Sequence, residues 1–227
     1  LRVRSLSARI PAEAVAAITA PLPPVAPAAL AHLPATLQHD AHARVFVLPL
    51  PGRTYAIGAD PAEGNPRSDE SVAIVLDALT GEQVALVAGA LEPETFAHAC
   101  AALAACYNGA PILVERNNHG HTVLAALRTL PTPVTILRGR DGKPGFLTNA
   151  ASKALLYDAL AAAVRDGAVT VRDDETATQL ASIDAITLRA PEALHDDRAM
   201  ALALACHVTQ HGTYTPTPPI APVNDPF

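Results

Sequence analysis

The sequence predicts a mixed α/β fold, with a sheet of three antiparallel strands continued by parallel ones and flanked by helices. Three observations predict it. Three strand-like runs follow one another between residues 53 and 90, the last two separated by the turn Thr80-Gly81-Glu82. From Pro93 onward helix-like and strand-like stretches alternate. The chain is 50% hydrophobic but only 4% aromatic, with alanine supplying much of the apolar count, which favours closely packed helices over an all-β core.

Each element has its own warrant. Arg53–Asp60 carries Tyr55, Ala56 and Ile57 and reads as a strand. Ser71–Leu79 and Gln83–Ala90 are two more β-rich runs. Pro93–Tyr107 reads as a helix with proline in its first turn, where a missing N–H costs nothing. Pro111–Glu115 is almost wholly apolar, as a buried parallel strand should be. Asn117–Leu130 is a helix with Leu124 and Leu127 on one face, Val134–Arg138 another strand, and Ser152–Arg165 a helix stopped by Gly167. Asp184–Leu188 is expected as a last strand. Asp196–Val208 is an Ala/Leu helix with acids in its first turn, as the helix dipole favours. Strands in this order, followed by more helix, are the order of the ribonuclease H fold.

With 227 residues the chain has enough material for one sizeable core and one or at most two domains. We expect residues 1–40, rich in Ala and Pro, to be a linker segment with short helices and no core of its own. The folded domain is expected over 41–211, and a Pro-rich tail over 212–227. The chain starts at Leu1, which reads as a fragment or processed form of something longer. Three arginines within the first nine residues faintly resemble a transit peptide; a linker remnant fits better.

The formal charge of −6 argues against a simple DNA-binding module. It argues less against a metal-dependent nuclease, because bound cations offset clustered carboxylates. Cys100, Cys106 and Cys206 form no CxxC and are odd in number, so neither a disulfide framework nor a zinc site is expected. They read as small buried hydrophobes of a reducing cytosol. No apolar run approaches the roughly 18 residues a membrane span needs.

The chemistry lies in carboxylates. Asp60 ends the first strand and Glu115 the first parallel strand. If those strands are neighbours, both side chains converge at one sheet edge, where open sheets bind ligands. Asp196 and Asp197 open an apolar helix that can point into the same crevice. Such acids repel one another and shift each other's pKa, and hard cations relieve this. An all-oxygen set suits Mg²⁺ or Mn²⁺. Two ions about 4 Å apart can activate a water and stabilise the leaving oxygen in phosphodiester hydrolysis. Taken singly, Asp60 is as well read as a turn former, and Asp196 as a helix cap. Glu115, after a fully apolar run, and Asp197 are harder to explain that way.

The motifs GADPAEGNPRSDES, VERNNHGHTVLAAL, GFLTNAASKALLYDAL and HDDRAMALALA, in this order between Gly52 and Val208, resemble those of the nuclease domain of phage large terminase subunits. The resemblance implies a C-terminal domain that cuts concatemeric double-stranded viral DNA during packaging, in the host cytoplasm. It implies that Asp60, Glu115 and one or both of Asp196 and Asp197 bind two Mg²⁺ or Mn²⁺ ions. Asp69 matches a further family acid near the site; a solvated loop acid is the alternative. The family's ATPase half carries a phosphate loop, and no GxxxxGK[ST] occurs here. The motor, a portal and a small terminase subunit are therefore expected as partners outside this chain. Lys153, in the Ser-Lys of a family motif, either contacts substrate or tunes the acids.

Weaker candidates remain. His119 and His121 could touch a phosphate or metal, or line a helix start. Arg138, Arg140 and Lys143 cluster in LRGRDGKPG, a hairpin tip that could hold the DNA backbone or be an ordinary charged turn. Glu63 reads as a loop acid. Two rival readings stand beside the endonuclease: another nuclease of the same fold, such as a junction resolvase or transposase-like core, and a non-catalytic docking domain whose Pro-rich tail does the work.

Overall fold

In a computed structural model the described residues are 8–26, 38, 42–64, 69–191 and 195–211. Five strands form one sheet: β1 (Ala43–Val45), β2 (Tyr55–Asp60), β3 (Ser71–Asp77), β4 (Gln83–Gly89) and β5 (Ile112–Val114). Their order across the sheet is β1-β4-β3-β2-β5. The pairs β1–β4, β4–β3 and β3–β2 are antiparallel, and β5 joins β2 in parallel. This is the expected mixed sheet.

Both faces of the sheet are covered, so the strands read as apolar runs without strict alternation. On one face Ala56, Val72, Ile74, Leu76, Leu86 and Leu113 join a core with α1 (Ala12–Ile18), α4 (Ala150–Arg165), α5 (Asp174–Ser182) and α6 (Asp197–His211). On the other, Ile57, Ala59, Ala73, Val75, Val87, Ile112 and Val114 pack on α2 (Pro93–Cys106) and α3 (Gly120–Thr129).

The helix that matters most is α6. Every residue from Asp197 to Cys206 is buried, because the helix lies flat on β2 and is covered from outside by α4 and α5. Gly58 permits this approach. A Cβ there would stand 2.1 Å from the Ala201 carbonyl oxygen and 2.3 Å from the Ala205 nitrogen. The small residues of α6 and the bare backbone of β2 thus bring the first turn of the helix to the end of the strand.

Some expectations need correction. Val134–Arg138 is not a ladder strand. It makes a single parallel bridge, Ile136 with Ile112, before Arg138 folds back on Pro144 and Gly145. Pro131 and Pro133 precede it and Gly139 begins a turn, which leaves little room for pairing. The expected hairpin tip that follows is present, closed by Gly139 N–H donating to the Lys143 carbonyl at 2.8 Å.

Asp184–Leu188 is a turn. One Asp184 carboxylate oxygen accepts from the backbone of Ile186 (3.0 Å) and Thr187 (2.7 Å) and from the Thr187 hydroxyl (2.9 Å), which competes with strand pairing. α3 starts at Gly120, three residues later than expected, since Asn118 takes a positive φ of 43°. β1 and α5 were not anticipated. α5 had a readable signal in Asp173-Asp174-Glu175, where the Asp173 side chain caps the helix by accepting from Thr176 N at 2.9 Å.

Within the first segment, residues 8–26 lie on the domain. Val15 and Ile18 of α1 are buried, and Ala20 N–H donates to the Val171 carbonyl at 2.9 Å. The Pro-rich tail and residues 1–7 and 27–37 lie outside the described residues. No helix among the described residues is long and apolar enough to cross a membrane.

Candidate metal centre

β2 and β5 pair in parallel with Ala59 opposite Val114, so the next residue on each strand is an acid. Ala59 and Val114 point into the α2/α3 core. Side chains alternate along a strand, so Asp60 and Glu115 point to the opposite face, where α6 begins. The Glu115 N–H donates to the Ala59 carbonyl at 2.8 Å and holds the two strand ends together. Just beyond, Gly120 has to be small: a Cβ would stand 1.9 Å from the Glu115 carbonyl oxygen.

The first turn of α6 supplies the other acids. Asp196 starts the helical ladder, its carbonyl accepting from Met200 N at 2.8 Å, while its side chain accepts from Lys153 Nζ at 2.8 Å. Asp197 is buried and accepts from the Glu70 N–H at 2.8 Å. Asp60, Glu115, Asp196 and Asp197 line one open cleft of about 600 Å³, together with Asp69, Glu63, His119, Lys153 and His195.

The electrostatics follow from crowding. Burial first, then the charge of Glu115 and a hydrogen bond with its side chain, then the charges of Asp197 and Asp196, hold the Asp60 carboxyl well above the usual carboxylate range. Burial likewise pushes Asp197 up to about 7; the Glu70 N–H works against this, and the charges of Asp69 and Asp196 add to it. Burial and mutual repulsion thus disfavour the charged forms of Asp60 and Asp197. A multivalent cation is what would restore them, so the donor set fits the hard-cation chemistry expected of it.

Asp69 is brought in from the side. Asp69, His195 and Asp197 offer ligand atoms that all lie within 4.8 Å of one another. His195 Nδ1, in the tautomer that carries its proton there, donates to the Asp69 carboxylate at 2.8 Å. That bond, with added help from Asp197, raises the His195 pKa against the opposing effect of burial. Sequence reasoning weighed His119 and His121 and missed His195, although it immediately precedes the aspartate pair. Of those two, His119 lines the acidic cleft and His121 lines a different one.

Among the four basic candidates, Lys153 is paired with Asp196 at 2.8 Å. Arg138 donates to the Gly142 carbonyl at 2.6 Å and braces its own hairpin. Arg140 and Lys143 are exposed on that hairpin. Lys143 also lines a second cleft, with Arg116, His121 and Arg128. Buried Arg116 pins the hairpin tip by donating to Asp141 at 2.5 Å.

No family model and no curated protein matches the chain. Solved structures do. The large terminase nuclease from thermophilic phage G20c, with bound magnesium, superposes with a TM-score of 0.68 at 22% identity, over 88% of this chain and 98% of that one. Its cobalt-bound form matches equally. The nuclease domain of the large terminase subunit of bacterial virus Sf6, with manganese and β-thujaplicinol, superposes at 0.53 and 13% identity, over 88% and 99%. The chain therefore has the ribonuclease H-like fold of terminase nuclease domains.

Proposed function

We propose that this chain is a metal-dependent endonuclease that cuts double-stranded DNA, the nuclease domain of a phage or prophage large terminase. The observation that carries the reading is the convergence of Asp60, Glu115, Asp196 and Asp197 on one open cleft, with Asp60 and Asp197 displaced upward in pKa. Terminase nucleases of the same fold hold magnesium, cobalt or manganese, which supports the same chemistry here.

Asp60, Glu115, Asp196 and Asp197, with Asp69 beside them, would hold two Mg²⁺ or Mn²⁺ ions, which supply charge neutralisation and water activation for phosphodiester hydrolysis. Around that centre the chain's own residues have separate tasks. The ends of β2 and β5 fix Asp60 and Glu115 rigidly. Glu70 N–H orients Asp197. Lys153 holds Asp196 in place. Arg140 and Lys143 on the hairpin, which Arg138 braces, attract the DNA backbone. The acidity of the cleft makes DNA binding without cations weak.

Residues 41–211 carry the reaction in this reading, with residues 8–26 docked on them. The ATPase motor, portal and small terminase subunit act alongside in the host cytoplasm. A plasmid-cleavage assay in Mn²⁺ and Mg²⁺ tests the proposal. Nicking and linearisation are expected, and they should disappear in D60N and E115Q. Cleavage that survives both substitutions would sink the site assignment, and no cleavage with either metal would favour a docking domain.

A further inference from the structure

Positive charge is scarce in this protein, and most of it is already matched. Among the described residues, seven arginines and lysines pair with an acid. Of the six that do not, four belong to two neighbouring elements: Arg128 in the last turn of α3, and Arg138, Arg140 and Lys143 on the hairpin. In a chain of net charge −6, this local excess needs a reason.

Between those elements lies a cleft of about 430 Å³. His121, Leu124 and Arg128 line it from α3, and their spacing of three and then four residues puts them on one face of that helix. Lys143, Pro144 and Leu147 line it from the hairpin's return limb. Buried Arg116 also lines it, but Asp141 already holds that guanidinium at 2.5 Å. His121, Arg128 and Lys143 are exposed, and among the described residues no acid lines the cleft.

This basic cleft adjoins the acidic one. Glu115 lines the acidic cleft and Arg116, the next residue, the basic one; His119 and His121 divide in the same way. The loop after β5 is thus a wall shared by two clefts of opposite charge. A DNA strand repeats its phosphate every ~3.4 Å of helix axis, so a strand with one phosphate at the metal centre carries others a few steps away. Those phosphates match the unpaired cations, and Leu124 and Leu147 offer apolar surface to the sugars between them.

Resting on the metal-centre reading above, we propose that the basic cleft is a second substrate subsite, in which Arg128, His121 and Lys143 hold backbone phosphates next to the one being cut. The acidic cleft carries the chemistry. The basic one supplies affinity and fixes where the strand lies.

Arg128→Gln tests this, because it removes one exposed charge and touches none of the acids. Arg165→Gln is the control, an equal loss of exposed charge in the last turn of α4. Three readouts are taken on the full chain: anisotropy binding of a short blunt duplex over a salt series without metal, cleavage kinetics on the same duplex in Mn²⁺, and the thermal midpoint. R128Q should raise the duplex Kd about fivefold, reduce the salt slope by about one, and raise KM with kcat unchanged. R165Q should match the parent throughout, and all midpoints should agree.

An unchanged Kd in R128Q, or an equal loss in R165Q, would overturn the subsite. So would a fall in kcat with KM unchanged. Polyglutamate that displaces the labelled duplex as well as unlabelled duplex does, charge for charge, would assign the cleft to an acidic protein segment instead. A parent that binds duplex but fails to cleave it in Mn²⁺ would sink the metal-centre reading, while the Kd of R128Q would still decide whether the cleft holds DNA.

Discussion

Two buried acidic clusters sit within one helical turn of each other at the start of α6, and they have opposite electrostatics. Asp197 is 5% exposed and Asp173 is 4% exposed, so both pay a similar cost of desolvation. Asp173 is matched by arginines: Arg198 donates to it at 2.9 Å and Arg44 at 2.8 Å. Burial pushes the Asp173 carboxyl up, but the Thr176 hydroxyl and Arg198 outweigh it, and the net shift is downward. Asp197 accepts from the Glu70 N–H, but burial first and then the charges of Asp69 and Asp196 outweigh it, and its pKa rises to about 7. Arg198 is the hinge between the two. It also pairs with Glu70 at 3.2 Å and Glu175 at 2.8 Å, and the backbone of Glu70 is what holds Asp197. The balanced cluster is scaffolding. The unbalanced one is left short of cations, which is the state expected of a site that takes them from solution.

The largest effect should come from breaking the balanced cluster. Arg198→Leu leaves Asp173 with Arg44 alone and takes the guanidinium from Glu70, and should cost about 3–5 kcal/mol of stability, read from denaturant unfolding. A loss below about 1 kcal/mol would mean the cluster is not structural. The opposite sign is expected in the unbalanced cluster. Asp60→Asn removes a charge the fold disfavours, so the metal-free protein should gain roughly 1 kcal/mol at pH 8 while Mn²⁺ binding is lost. Destabilisation by Asp60→Asn would show that the carboxylate is already compensated.

The pH dependence sharpens the contrast further. Asp197 has its folded pKa raised, so its proton stabilises the fold. That contribution is fully present below the unfolded value of 3.8 and is lost as pH rises through about 7. Asp173 runs the other way, contributing stability above its unfolded value and losing it only in acid. The thermal shift caused by Mn²⁺ should therefore grow with pH and level off above about 7, because binding has to displace protons. A shift independent of pH between 5 and 8 would contradict it. The smallest effect belongs to the exposed hairpin. Arg140→Ala with Lys143→Ala should leave the midpoint unchanged, weaken DNA binding a few-fold and reduce the salt slope by about one per charge removed.

Most elements between β2 and α4 are legible from sequence because each rests on a local signal: an apolar run, Pro93 in a first turn, Asn149 capping α4 with a reciprocal bond from Ser152. The errors fall where local signals compete. Val134–Arg138 has strand composition, but prolines before it and a glycine turn after it leave a single bridge. Asp184 begins an apolar stretch and uses its own side chain to make a turn of it. In the site, Asp60 and Glu115 are legible because each ends an apolar strand. His195 is not, since a histidine before a helix looks ordinary until its neighbours are known.

What local pattern can settle is which residues end strands, start helices and carry charge, since these depend on neighbours a few positions away. The mixed sheet, the buried helix of small residues and the acids at their ends follow from that. Which acids meet, and in what state, needed the folded chain. Pairing of β2 with β5 put Asp60 beside Glu115, and contact at Gly58 brought Asp197 down onto them. Burial then raised one set of carboxyls while arginines distant in sequence lowered another. Desolvation and charge act through space, and that is why aspartates alike in sequence, Asp173 and Asp197, ended with opposite properties.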